Sequence, residues 1–189
     1  MNYNEIDIRL TRKHKKVIAR KSWFSLIMDG LIFIMLSLFY PVASLMYVYG
    51  KFDRGETVSQ GALINLSVST LLASLLIYAW LNSTKMRKIE GLEIIKNREV
   101  IDSLIEKHNW EKRRKTKTLI VASPPFELSA LNWGRQFNFL LEKNHIYINV
   151  ISFGRFQISP FHWFADRYKE RIIIREIKEA LRNVILKNV

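Results

Sequence analysis

The chain has 189 residues, no cysteine, and 30 Lys plus Arg against 17 Asp plus Glu, for a formal net charge of +13. The absence of thiols excludes disulfides, a thiolate nucleophile and Cys-ligated zinc or iron–sulfur centres. The hydrophobic fraction of 49% is ordinary, but it averages nearly pure apolar runs with strongly basic flanks.

Residues 1–22 form a basic segment in which Arg9, Arg12, Lys13, Lys15, Lys16, Arg20 and Lys21 face only Glu5 and Asp7. Residues 23–82 then read as a transmembrane hairpin with spans at about 26–49 and 61–82. Gly30 to Gly50 and Gly61 to Leu81 carry no formal charge, and each run of 21 residues covers about 30 Å as a helix, the thickness of a hydrocarbon core. The first run is longer than a signal-peptide core of about 7–15 residues, and it passes through Tyr47, Val48 and Tyr49 without a small-residue cleavage site, so it reads as a retained span.

Basic residues flank both runs on their outer sides, with Lys85, Arg87 and Lys88 after the second. In the loop between them Lys51 and Arg54 are balanced by Asp53 and Glu56. The positive-inside rule therefore predicts a two-pass protein of a bacterial cytoplasmic (inner) membrane with both termini in the cytoplasm. Trp23, Phe24, Tyr47, Tyr49, Tyr78 and Trp80 fall at the span ends, Asp29 is expected in the headgroup region, and Pro41 is expected to kink the first span. Ser67, Thr70, Ser74 and Tyr78 recur at spacings of three and four in the second span. That stripe predicts packing against the first span or a second copy, with a pore lining as the alternative.

Residues 83–110 are expected to continue the second span as a stalk helix, with Ile94, Ile101, Leu104, Ile105 and His108 on one face and a hinge at Gly91. Lys112, Arg113, Arg114, Lys115 and Lys117 follow as a basic cluster whose nearest partner, given the tether, is anionic lipid headgroups. No aromatic-interleaved recognition motif supports nucleic acid instead.

Residues 111–189 are expected to form a small cytosolic α+β domain. Thr118–Ala122, Gln136–Leu141 and His145–Phe153 read as strands, the last two joined in a hairpin at Glu142, Lys143 and Asn144, and Arg155–Ile158 reads as a short extension. In the arm from His145, Tyr147, Asn149 and Ile151 alternate with Ile146, Ile148, Val150 and Ser152. From Asp166 to Leu186, Ile173, Ile177, Ala180, Leu181, Val184 and Ile185 make the apolar stripe of a helix laid on a mainly antiparallel sheet.

Two polar groupings are candidate sites. Asn132, Arg135 and Asn138 gather amides and a guanidinium suited to a phosphate or carboxylate, with an ordinary turn as the competing account. His162 and Asp166 share a helical face and, with His145, would make an acid–base group or a two-His, one-carboxylate metal site. HExxH, GxxxxGK[ST], GxGxxG and GxSxG motifs are all missing, so no cofactor or resident metal is expected. The expectation is a non-enzymatic, membrane-anchored cytosolic binding or interaction module that meets anionic lipid and a protein partner or a second copy of itself. The alternatives are a ligand-gated effector that permeabilises the bilayer and a membrane-bound enzyme acting on a phosphorylated or lipidic substrate.

Overall fold

The computed structural model describes residues 6–18, 23–125, 134–154, 157–158 and 162–186, with side chains outside the description at 23–29, 153–154 and 157–158. The chain divides into two units, one comprising residues 21–81 and the other joining residues 1–20 to 82–189.

The smaller unit is helical. Helix α2 (Trp23–Asp53) runs through Pro41 without interruption, and α3 (Gln60–Ser83) follows the loop. Both are long and apolar enough to cross a membrane, and only 17% of each apolar window is buried within the protein. Met35, Leu36, Phe39 and Met46 on α2, with Ile64, Leu71 and Leu72 on α3, are all more than half exposed. A core helix of a water-soluble domain would bury such side chains.

Small residues are buried on both helices. On α2, Gly30, Ser37 and Ser44 are buried at seven-residue intervals, and on α3 the buried positions include Ser69, Ala73 and Ala79. A seven-residue recurrence keeps one seam facing its neighbour. A Cβ on Gly30 would lie 3.3 Å from the Trp80 ring, which stacks on Phe33 at 5.5 Å, and Tyr40 donates to Asn65 at 3.4 Å. The stripe of Ser67, Thr70, Ser74 and Tyr78 lies outside this set of buried positions. Its residues are exposed, and the hydroxyls of Ser67, Thr70 and Ser74 bond the carbonyls of Leu63, Leu66 and Thr70 in the preceding turn of their own helix. Asp29, Trp23 and Phe24 lie in α2 with their side chains outside the description.

The larger unit is α+β. Five antiparallel strands run in the order β1 (Arg87–Glu90), β5 (His145–Gly154), β4 (Arg135–Glu142), β3 (Leu119–Ser123), β2 (Glu111–Lys115), with β6 (Gln157–Ile158) on the far end of β5. The hairpin turns at Lys143, which takes a left-handed φ of 44°, and the register pairs Glu142 with His145 and Arg135 with Ser152. One face packs under α4 (Ile94–Lys107) and α5 (Trp163–Leu186). There Ile146, Ile148 and Val150 meet Ile101, Ile105, Ile173 and Ile177, while Ile185 at the end of the expected stripe is exposed.

The opposite face is buried as well. Leu119, Val121, Leu140 and Ile151 pack against Ile6, Val17 and Met86, so the N-terminal segment with α1 (Ile8–His14) belongs to this unit rather than standing apart. It is stitched in by Val17 N–H to Thr84 O at 2.9 Å and Met86 N–H to Lys15 O at 3.0 Å.

The expected stalk helix is corrected by β1 and α4. Residues 87–90 form an edge strand, Ile89 alone buried among three charged neighbours, and helix resumes only at Ile94. Gly91 is no hinge: the buried Asn97 side chain bonds Leu92 N–H at 2.7 Å and Leu92 O at 2.6 Å, and a Cβ on Gly91 would sit 2.5 Å from its Oδ1. Glycine is needed there for close approach.

Candidate anion-binding cleft

The ends of β2, β3 and β4 and one face of α5 enclose a cleft of about 220 Å³. Its cationic lining comes from Arg113 at the bulge of β2, Arg135 at the start of β4, and Lys169 on α5, and Glu176 is the acid among its lining residues. Lys169, Ile172, Ile173 and Glu176 fall on one helical face by their three- and four-residue spacing. An aromatic column of His108, Trp110 and Phe137 forms another wall, with ring centroids 4.9 Å and 4.0 Å apart in succession.

Both guanidiniums are held along their Nε edge by a serine. Arg113 Nε donates to Ser123 Oγ at 2.9 Å, and Arg135 Nε lies 3.3 Å from both Ser152 Oγ and Asp166 Oδ1. Arg113 is further held by the exposed Glu111 at 2.6 Å. Asp166 also accepts from Ser152 N–H at 2.8 Å and Ser152 Oγ–H at 2.6 Å. Burial pushes the Asp166 carboxyl above its ordinary range, against the downward pull of Ser152, Arg135 and His162. Burial also acts on Glu176, but His108 Nε2 at 2.8 Å and Lys107 Nζ at 3.0 Å hold its carboxyl below the usual glutamate value.

These positions sort the sequence-derived candidates. Arg135 and Asp166, assigned to different groupings, converge, and His162 is near enough to act on Asp166. His145 does not join them: it sits at the other end of β5, opposite Glu142 and Glu90, seven residues from Ser152 and so roughly 23 Å away along the strand. The proposed triad is therefore not assembled, and among the described residues no three His, Cys, Asp or Glu side chains gather as metal ligands.

Asn138 lies within a strand, as its place in Gln136–Leu141 predicted. It is fully buried in β4 opposite Asn149 and accepts from Gln136 Nε2 at 2.5 Å. Asn132 lies outside the described residues.

The basic cluster is edge strand β2 rather than a free run. Lys112 pairs with Asp102 at 3.3 Å and Glu106 at 3.6 Å, and Lys115 pairs with Asp102 at 2.7 Å. Arg114 donates to Ile6 O at 3.0 Å, and Lys117 is exposed beyond the strand. Much of the charge expected to meet headgroups is thus answered within the domain. A more open concavity of about 700 Å³ is lined by Arg9, Arg12, Lys13 and Lys15 with Glu142, which pairs with Arg12 at 2.9 Å and with Lys15.

The cleft was hidden from sequence reasoning because its walls come from separate parts of the chain, and Lys169 carries no local signal. No protein-family model, curated protein or solved structure matches this chain.

Proposed function

We propose that the chain is a two-pass bacterial inner-membrane protein whose cytosolic α+β domain is a non-enzymatic binding module, the helical hairpin serving as its anchor. The observation that carries this reading is the exposure of large apolar side chains along α2 and α3. Lipid is the solvent in which such surfaces are stable, whereas water would drive their burial or aggregation. The basic residues outside both spans support cytoplasmic termini, and the cleft supplies the domain with a place to receive a ligand.

The chain has no cysteine, so single introduced cysteines are unambiguous reporters. Glu56→Cys in the loop should react with an impermeant maleimide on intact cells, and Lys178→Cys on the exposed side of α5 only after lysis. Alkaline carbonate should leave both proteins in the membrane pellet. Labelling of the Lys178→Cys variant from outside, or release of the chain by carbonate, would refute the reading.

A further inference from the structure

We infer that the cleft between β2, β3, β4 and α5 is a binding site for a phosphate monoester, either a small soluble metabolite or the exposed headgroup of a phosphomonoester lipid. The inference deepens the reading above by giving the anchored domain a ligand class.

The first argument is preorganisation. Long basic side chains on a surface lose rotamer entropy when they close on a ligand. Here that cost is met before binding, because Ser123 fixes Arg113 through Nε and Ser152 with Asp166 fixes Arg135 in the same way. A guanidinium held at Nε has a set orientation, on Arg113 reinforced by Glu111 at a terminal nitrogen, and planar forks match tetrahedral phosphate oxygens.

The second argument is charge. The walls bring Arg113, Arg135 and Lys169 together against Glu176, which is already engaged by His108 and Lys107. Glu111 and Asp166, each in direct ion contact with one arginine, offset part of that charge. Lys169 of α5 makes no ion pair among the described residues and adds a compact point charge to the lining. Two guanidiniums and an ammonium lining one small volume offer more donors than the two oxygens of a carboxylate can take, and the three acceptor oxygens of a phosphate monoester match them better.

The third argument is size and shape. A volume of about 220 Å³ is below the roughly 300–1,000 Å³ of drug-sized pockets, so it suits a phosphate with a short substituent. The Trp110 and Phe137 wall gives that substituent an apolar surface.

The test uses the full chain. Calorimetric titration in neutral-detergent micelles with glycerol 3-phosphate, inorganic phosphate and acetate forms one arm. The other measures glycerol 3-phosphate binding to chain in phosphatidylcholine nanodiscs, with or without phosphatidic acid as a competitor. Glycerol 3-phosphate should bind more tightly than acetate, and Arg113→Gln and Lys169→Ala should each weaken it at least about tenfold, while Lys178→Ala should not. Suppression by phosphatidic acid would assign the site to a lipid headgroup, and its absence to a soluble ester. Absence of phosphate-ester binding in both arms, equal binding of acetate, or binding that both cleft variants leave intact would overturn the inference. Cysteine labelling and carbonate extraction are unaffected by any of these results, so the membrane reading stands or falls separately.

Discussion

Asn149, in the middle of β5, donates its side-chain amide to Ser83 O at 2.9 Å and to Lys85 O at 3.1 Å, where α3 ends and the chain enters the sheet domain. The last carbonyls of a helix have no intrahelical donor, and burial without one is costly. Arg167 completes the arrangement by donating to Asn82 O and to Lys85 O. A strand and the C-terminal helix thus jointly cap these exit carbonyls.

Asn149→Leu should therefore destabilise the domain by about 1–3 kcal/mol, the usual consequence of stranding a buried acceptor. Because Asn149 and Arg167 both serve Lys85 O, Asn149→Leu combined with Arg167→Met should depart from additivity, whereas Asn149→Leu with Lys178→Ala should be additive. Denaturant unfolding of the micelle-held chain, followed by far-ultraviolet circular dichroism, measures both.

Arg167 also holds Glu170, which is completely buried and lies 2.6 Å from Arg167 and 2.7 Å from Arg87. Burial pushes the Glu170 carboxyl above its ordinary value of 4.5, opposed by Arg167, Arg87 and the Val150 backbone. A raised folded-state value means that this group's favourable contribution is complete below pH 4.5 and lost as pH rises through the folded value. Glu170→Gln should flatten that part of the stability curve. Arg167→Met, which leaves the carboxylate with only the part-exposed Arg87, should cost about 3–5 kcal/mol at neutral pH. Arg167→Met with Glu170→Leu should recover much of the loss, as read from unfolding midpoints across pH.

The sequence exposed some of this architecture and concealed the rest for identifiable reasons. The two apolar helices and the β4–β5 hairpin were legible because uncharged run length, alternation and turn residues are local signals. Strand β1 was not, since Arg87, Lys88 and Glu90 around Ile89 look like a solvated helix surface, and only pairing with β5 makes them an edge strand. Arg167 and Glu170 likewise have the spacing of an exposed helical ion pair, but the fold buries both. The cleft depends on contacts among distant segments and left no periodic trace. The hydroxyl stripe on α3 was visible, but not that Ser67, Thr70 and Ser74 satisfy their hydroxyls within their own helix, nor that Gly30, Ser37 and Ser44 are buried on α2.

A second pH effect has the opposite sign. Although burial pushes Glu176 up, His108 and Lys107 leave its carboxyl below 4.5, so its stabilising contribution is present above that pH and disappears as pH falls through the folded value. Glu176→Gln should lower stability at neutral pH by up to about 1 kcal/mol, the scale of a largely surface ion pair. The difference from wild type should vanish in acid. Parallel unfolding midpoints at neutral and acid pH would contradict this.

The seam between α2 and α3 yields the last prediction. If Ser37 and Ser44 let the helices approach while Ser67, Thr70 and Ser74 bond only within their own helix, the two sets must respond differently to enlargement. Tyr40 and Asn65 are in hydrogen-bond reach, so cysteines at both positions should be joined by a short bis-maleimide linker. Adding Ser37→Phe should roughly halve that yield or worse, because bulk forced into a buried position displaces its neighbours. Ser67→Leu with Ser74→Leu should leave it unchanged, since outward positions accept apolar bulk. Membrane insertion, checked by carbonate extraction, should be preserved in both variants, which separates a loosened hairpin from a failed span. Loss of linking in the Ser67→Leu, Ser74→Leu variant would return the stripe to the helix interface.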